Sequence, residues 1–324
     1  MLDSLTERIS RLEQEIKEYF SRIENISSLL DINDFPKDKI IYHYTSATGL
    51  LGILQSQTIW ATEASYLNDS QEIKYGIDLA RAELDQLSKQ SNSKDHKKLV
   101  DEVAKNLSTF SKSAIYVSCF CEDGDLLSQW KGYSGKGYSG IGAGFSIGLN
   151  IDQLSKSRYE LSTFPIRIKK VVYDNEIQKK ILWDECNATL GYFDAWLEKY
   201  PNEDDVSIFF PAAVAGLTEY IKLQSARFKA STFHEENEWR FIYVPSLPDA
   251  KYQKLIKFRT EDDRIIPYLE FQLQLPAISR IVCGSKIDLE SSKKAIDLIY
   301  NRASSFNGVI IPLPQMSASK ISLQ

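Results

Sequence analysis

Cysteine and histidine are scarce in this chain, with four and three copies among 324 residues. The cysteines, Cys119, Cys121, Cys186 and Cys283, are scattered, which argues against a disulfide framework and fits a reducing compartment. Cys119-x-Cys121 leaves one residue between its thiols, where zinc sites leave about two to four. No metal site is expected there. No stretch approaches the roughly eighteen apolar residues of a membrane span. The first residues, MLDSLTERIS, carry early acids and no apolar secretory core. The expectation is a cytoplasmic protein without membrane association. The net charge of −5 and pI of about 5.5 lack the overall basic footprint of a duplex binder, although a local basic patch stays open. What is present is ordinary globular usage, 43% hydrophobic, 26% charged and 11% aromatic, enough for a sizeable core.

Residues 2–30 form the clearest pattern. Leu2, Leu5, Ile9, Leu12, Ile16, Tyr19, Ile23, Ile26 and Leu30 recur at three- and four-residue steps, a heptad seam on one long helix. Asp3 or Ser4, with Glu7, supplies a capped start. So narrow a seam must dock on something, either the chain's own domain or a second copy in a homodimer. The turn formers of DINDFPKDK end it. Residues 1–32 therefore read as a docking or dimerisation helix, and 38–324 as one main domain.

Within that domain, strands are expected at Ile40–Tyr44, Thr58–Thr62, Ser113–Cys121, Ala143–Ile147, 164–173, Trp239–Val244, 254–258, 265–270, Arg280–Cys283 and Val309–Pro312. Helices are expected at 47–55, 69–90, 95–111, 175–199, 204–229 and 288–303. The irregular alternation indicates an α+β fold with a mixed sheet and flanking helices, not a doubly wound sheet.

Several polar groups stand at element ends. His43 closes the first strand, either as a structural histidine bonded to backbone or as a group presented to a pocket. Asn68 or Asp69, after Tyr66, suits a helix N-cap, with Glu72 placed for a capping box. Trp130 and Tyr133 are stacking aromatics or core residues. The Gly135–Gly140 match to G-x-G-x-x-G precedes a strand instead of opening a helix, so it reads as a loop and not a dinucleotide fingerprint. His234-Glu-Glu236-Asn-Glu238-Trp-Arg240 is the densest ionisable run, with Lys229 upstream. If a strand begins near Trp239, Glu238 and Arg240 share one face by period two. That pair is either a surface ion pair or a catalytic carboxylate with its orienting guanidinium. Asp69, Glu236 and Glu238 leave a metal-dependent nuclease as a further reading.

YHYTS with GLLGIL (42–54), IWAT with YLND (59–69), VSCFCEDGDLLSQW (117–130), EENEWRF (235–241) and FRTEDDRIIPYLEF (258–271) together resemble a bacterial family designated domain of unknown function 2971, over about residues 40–315. The H-Y-T at the first strand's end, followed by a helix and a second strand, is also similar to the opening of ADP-ribosyltransferases. That resemblance implies an ADP-ribosyltransferase-like core with NAD as substrate and no metal. It implies that His43 holds a ribose hydroxyl, that Glu238 stabilises the developing cation and that Glu236 orients the acceptor. Tyr66, Trp60 and Tyr133 are the choices for the aromatic on nicotinamide, and Tyr44, Thr45, Asn68, Asp69, Trp130 and Arg240 would line the cofactor. It further implies a toxin or antiviral effector acting on protein or nucleic acid. The alternative is a non-catalytic nucleotide or nucleic-acid sensor assembled by its N-terminal helix.

Overall fold

The computed structural model describes residues 2–28, 38–67, 71–108, 115–133, 142–154, 167–245, 253–261 and 263–321. The chain opens with α1 (Leu2–Ser28). Strand β1 (Ile40–Ser46), α2 (Ala47–Ser56) and β2 (Thr58–Glu63) follow. Ser46 caps α2 by accepting from the Gly49 amide at 3.1 Å, and Gln57 ends it in the left-handed region at φ 51°. Next come α3 (Gln71–Gln90), α4 (Lys94–Ser108), β3 (Tyr116–Cys121), α5 (Leu127–Tyr133), β4 (Gly144–Asn150) and β5 (Arg167–Lys170). Two long helices, α6 (Asn175–Lys199) and α7 (Glu203–Ser225), precede β6 (Glu238–Tyr243). The chain continues through β7 (Lys257–Glu261), β8 (Arg264–Gln272), β9 (Ile278–Cys283), α8 (Leu289–Asn307) and β10 (Gln315–Ala318).

The ten strands form one mixed sheet that forks at β3. Strand β6 lies along all of Tyr116–Cys121 on one edge of β3, with β5 outside it. The other edge is shared: β1 pairs at Cys121, and β2 pairs at Tyr116 and Val117. One arm runs β1-β4-β9-β10 and the other β2-β8-β7. The fold is thus mixed α+β, as the alternation of patterns implies.

Helices cover both faces. Ile41, Phe120, Ile147, Trp239 and Leu269 pack beneath α2 and α8 through Leu50, Leu54, Ile296 and Tyr300. On the opposite face Val117 and Ile242 meet a larger core from α1, α3, α4, α6 and α7. Beside it, Tyr42, Tyr44, Cys121 and Trp130 form a small cluster under α5.

The middle of the α1 seam is used within the chain. Leu12, Tyr19 and Ile23 are buried, while Ile9 is 45% exposed. The Tyr19 hydroxyl donates to the Ala213 carbonyl at 3.2 Å, and Arg22 grips Glu185 with two bonds of 2.7 and 3.1 Å. The side chains of Leu2, Asp3, Ser4, Leu5, Ile26 and Leu30 lie outside the described residues. Helix α7 contains one span, Val206–Ser225, apolar enough to cross a membrane by composition. It is half buried among α1, α3, α4 and α6, so its apolarity serves the core.

Some boundaries differ from expectation. The strand expected at Val309–Pro312 is irregular, and β10 begins at Gln315 instead. Pro312 and Pro314 have no amide hydrogen for a ladder, so pairing starts only beyond them. Helix α7 stops at Ser225, and a short 3-10 turn, Ser231–Glu236, leads into β6. Trp130 and Tyr133 stand on α5, a helix the sequence pattern did not reveal. The expected elements at 109–111, 113–114 and 164–166, and the Gly135–Gly140 loop, lie outside the described residues.

Candidate functional site

A buried ionic cluster forms where α3, the 226–230 connection, the 3-10 turn and β6 meet. Lys229 sits at its centre. Its Nζ lies 2.8 Å from Glu72, 2.7 Å from Glu236 and 3.2 Å from Glu238. Arg240 clasps Glu238 with two parallel bonds, Nε to Oε1 at 2.7 Å and Nη2 to Oε2 at 2.8 Å. It also pairs with Glu72 and donates to the Ala226 carbonyl at 2.9 Å. Pleating explains the clasp, because residues two apart on β6 project from the same face.

Backbone geometry brings Glu236 in as well. Asn237 adopts the left-handed region, φ 39° and ψ 54°, between the 3-10 turn and the strand. Asparagine tolerates that conformation better than most residues. The turn lets carboxylates on both sides of Asn237 reach one ammonium. The Lys229 backbone is held by Gln178, a fully buried amide that donates to its carbonyl at 3.0 Å. The Phe233 ring lies 4.9 Å from Nζ, on the outer side.

The two carboxylates of Glu236-Asn-Glu238 respond oppositely to these surroundings. Burial alone would raise Glu238, but the Arg240 guanidinium, then Lys229, bring it down to about 2. Glu236 is raised, with burial outweighing its bond to Lys229. Burial pulls Lys229 down, yet Glu238 and Glu72 more than restore it, so the ammonium keeps its proton. The Glu238 side chain is 5% exposed and that of Glu236 20%, so Glu236 is the member a ligand can reach. Three carboxylates against two cations leave the ionised cluster net negative.

Two tyrosines border the cluster. The Tyr173 hydroxyl accepts from the Glu238 amide at 2.9 Å. Burial raises the hydroxyl of Tyr133, at the end of α5, and Cys119, Glu238 and Glu236 add to the shift. The Cys119 thiol is also raised, by burial and then by Glu238, and is not a nucleophile.

His43 does not join this group. Tyr42 pairs with Cys121, and Cys121 with Glu238, which puts Tyr42, Tyr44, Cys119, Cys121, Glu238 and Arg240 on one face. His43 therefore projects from the other, with its ring 5.4 Å from Phe120. Its Nδ1 lies 3.0 Å from the Cys119 carbonyl. A carbonyl only accepts, so Nδ1 carries the hydrogen and Nε2 the lone pair. Burial lowers its basicity. The pleat thus corrects the expectation of one pocket holding His43 and Glu238.

The remaining expected residues divide. Tyr44 and Trp130 are buried edge to face at 4.8 Å. The Tyr44 hydroxyl donates to the Asp123 carbonyl and Trp130 Nε1 donates to Asp125, so neither ring is open to a cofactor. Thr45 lies on the His43 face, opposite Phe145. Trp60 is 43% exposed on β2, and Tyr66 ends a short 3-10 turn, Ala64–Tyr66. Asn68 and Asp69, with the expected capping box, lie outside the described residues. Glu72, expected only as a cap, and Lys229 prove to be the partners that close the cluster. Among the described residues no group of three or more His, Cys, Asp or Glu is arranged for a metal. The carboxylates of Glu72, Glu236 and Glu238 converge on Lys229.

A family model described as a protein of unknown function (DUF2971) matches residues 129–241. That segment holds Tyr133, Tyr173, Lys229, Glu236, Glu238 and Arg240, and leaves His43, Trp60 and Glu72 outside. No curated protein and no solved structure matches the chain significantly.

Proposed function

We propose that the chain is an ADP-ribosyltransferase-like enzyme that uses NAD, with Glu236 as the carboxylate that meets the substrate. The observation that carries this reading is the Glu-x-Glu pair whose proton affinities are pushed apart, one member held ionised and the other raised. Cleavage of the nicotinamide–ribose bond sends the bonding electron pair to nicotinamide and develops positive charge on the ribose. A net-negative cluster favours that charge. Glu236 takes the acceptor's proton as the acceptor bonds to the ribose carbon. Glu238 keeps Lys229 and Arg240 in place from the interior, and Tyr133 supplies the aromatic on the nicotinamide side. The acceptor is a protein or nucleic acid, and the biological role a toxin or antiviral effector.

The test is incubation of the chain with labelled NAD and cell extract, beside Glu236→Gln. Nicotinamide release or label transfer by the parent alone supports the reading. No turnover by the parent in the presence of extract sinks it.

The closed ion pairing around Glu238 favours a second reading, a non-catalytic nucleotide or nucleic-acid module whose N-terminal helix assembles copies through exposed seam positions such as Ile9. Ligand-induced thermal stabilisation without turnover distinguishes it.

A further inference from the structure

A second polar surface stands on the other arm of the fork. Register places Trp60 beside Glu270, and Thr62, Tyr268 and Lys257 in one row, so these side chains share a face. Arg259 belongs to the same face through its pairing with Ile266, and Arg264 through its pairing with Glu261. Trp60 is 43% exposed although its strand neighbours Ile59 and Ala61 are fully buried on the opposite side. Leaving an indole in water in mid-strand forgoes burial of a large apolar surface.

The indole is not isolated. Tyr268 packs against it with centroids 4.5 Å apart. The Arg259 guanidinium lies 5.5 Å from the Trp60 ring and 5.8 Å from that of Tyr268. Its Nη1 donates to Thr62 at 3.1 Å, which fixes the plane of the fork. Lys257 pairs with Glu270 at 2.7 Å and Arg259 with Glu261 at 3.6 Å, and Arg264 adds a third cation to the same face.

We propose that Trp60, backed by the buried Tyr268 ring, forms with Arg259 a stacking platform for a nucleobase whose phosphate is met by Arg259 and Arg264. An exposed aromatic ring beside arginine recognises unpaired bases through its π-face and phosphate through charge. An apolar peptide would gain nothing from the two guanidinium groups, and phosphate gains more from them than an uncharged ligand does. The ligand chemistry is a planar heterocycle bearing phosphate, supplied by a free nucleotide or by a single strand. The platform stands independently of NAD turnover, because its test reads binding alone.

The full chain is titrated with adenosine monophosphate by calorimetry and with a labelled short oligoadenylate by anisotropy, at low and moderate salt. Saturable binding of the monophosphate identifies a free nucleotide as the source. Binding of the oligomer alone, with salt dependence, identifies a strand. Trp60→Leu weakens the interaction about tenfold, and Arg259→Gln weakens it about threefold while flattening the salt dependence. Arg259→Gln decides the matter if Trp60→Leu does not fold. Absence of saturable binding to both probes, or unchanged affinity in a folded variant, overturns the proposal.

Discussion

Glu236 and Glu238 are two residues apart and chemically identical, yet their surroundings divide them. Glu238 is lowered to about 2 against an ordinary value of 4.5. A carboxylate lowered on folding contributes stability that is present above its unfolded value and disappears as pH falls through its folded one. Its ion pairs therefore support the fold above pH 4.5 and are lost between 4.5 and about 2. Glu236 has the opposite sign: its raised affinity means ionisation costs the fold stability as pH rises past 4.5. Glu238→Gln leaves Arg240 and Lys229 buried with an uncharged partner and is expected to destabilise by about 3–5 kcal/mol. Glu236→Gln removes a disfavoured charge and is expected to change stability by less than about 0.5 kcal/mol. Denaturant unfolding at neutral pH separates the two. Equal losses would refute the division between an interior and an accessible carboxylate.

Elements bring these residues together, and it is at this scale that the sequence is only partly informative. The Glu238–Arg240 pairing was legible because strand periodicity is local. The opposite placement of His43 was not, because one step of register moves a side chain to the other face, and register depends on which strands pair. Glu72 was equally hidden, since it reaches Lys229 and Arg240 only through packing of α3 on β6, whereas Lys229 was visible as a cation upstream of the run but not as its centre. The α1 seam was visible as a pattern, but its use was not. Tyr19 lies against Phe20, Tyr192 and Phe209 at 5.7, 6.1 and 5.4 Å. A Cβ at Gly216 of α7 would stand 2.7 Å from the Tyr19 ring. Helix propensity alone makes Gly216→Ala stabilising by about 1 kcal/mol, whereas overpacking costs about 1–3 kcal/mol. Tyr19 is boxed in by its aromatic neighbours, so the clash wins and the melting temperature falls. A rise in melting temperature would show that α1 yields without cost.

In the molecule as a whole, the forked sheet separates three chemistries. The arm through β1 carries His43 on the α2 and α8 side. The trunk of β3 and β6 carries the carboxylate cluster on the other side, and the arm through β2 carries the Trp60 platform. The family match from 129 to 241 runs from within α5 to within β6 and includes both Glu238 and Arg240. Transfer chemistry at this cluster requires one carboxylate held ionised and the other ready to take a proton in the intact chain. The direct measurement is a carbon-detected NMR titration of the glutamate side-chain carboxyls, with Glu236→Gln and Glu238→Gln assigning the two resonances. Glu238 is expected to titrate near 2 and Glu236 above 4.5. Titration of both groups together near 4.5, or in the reverse order, would contradict it.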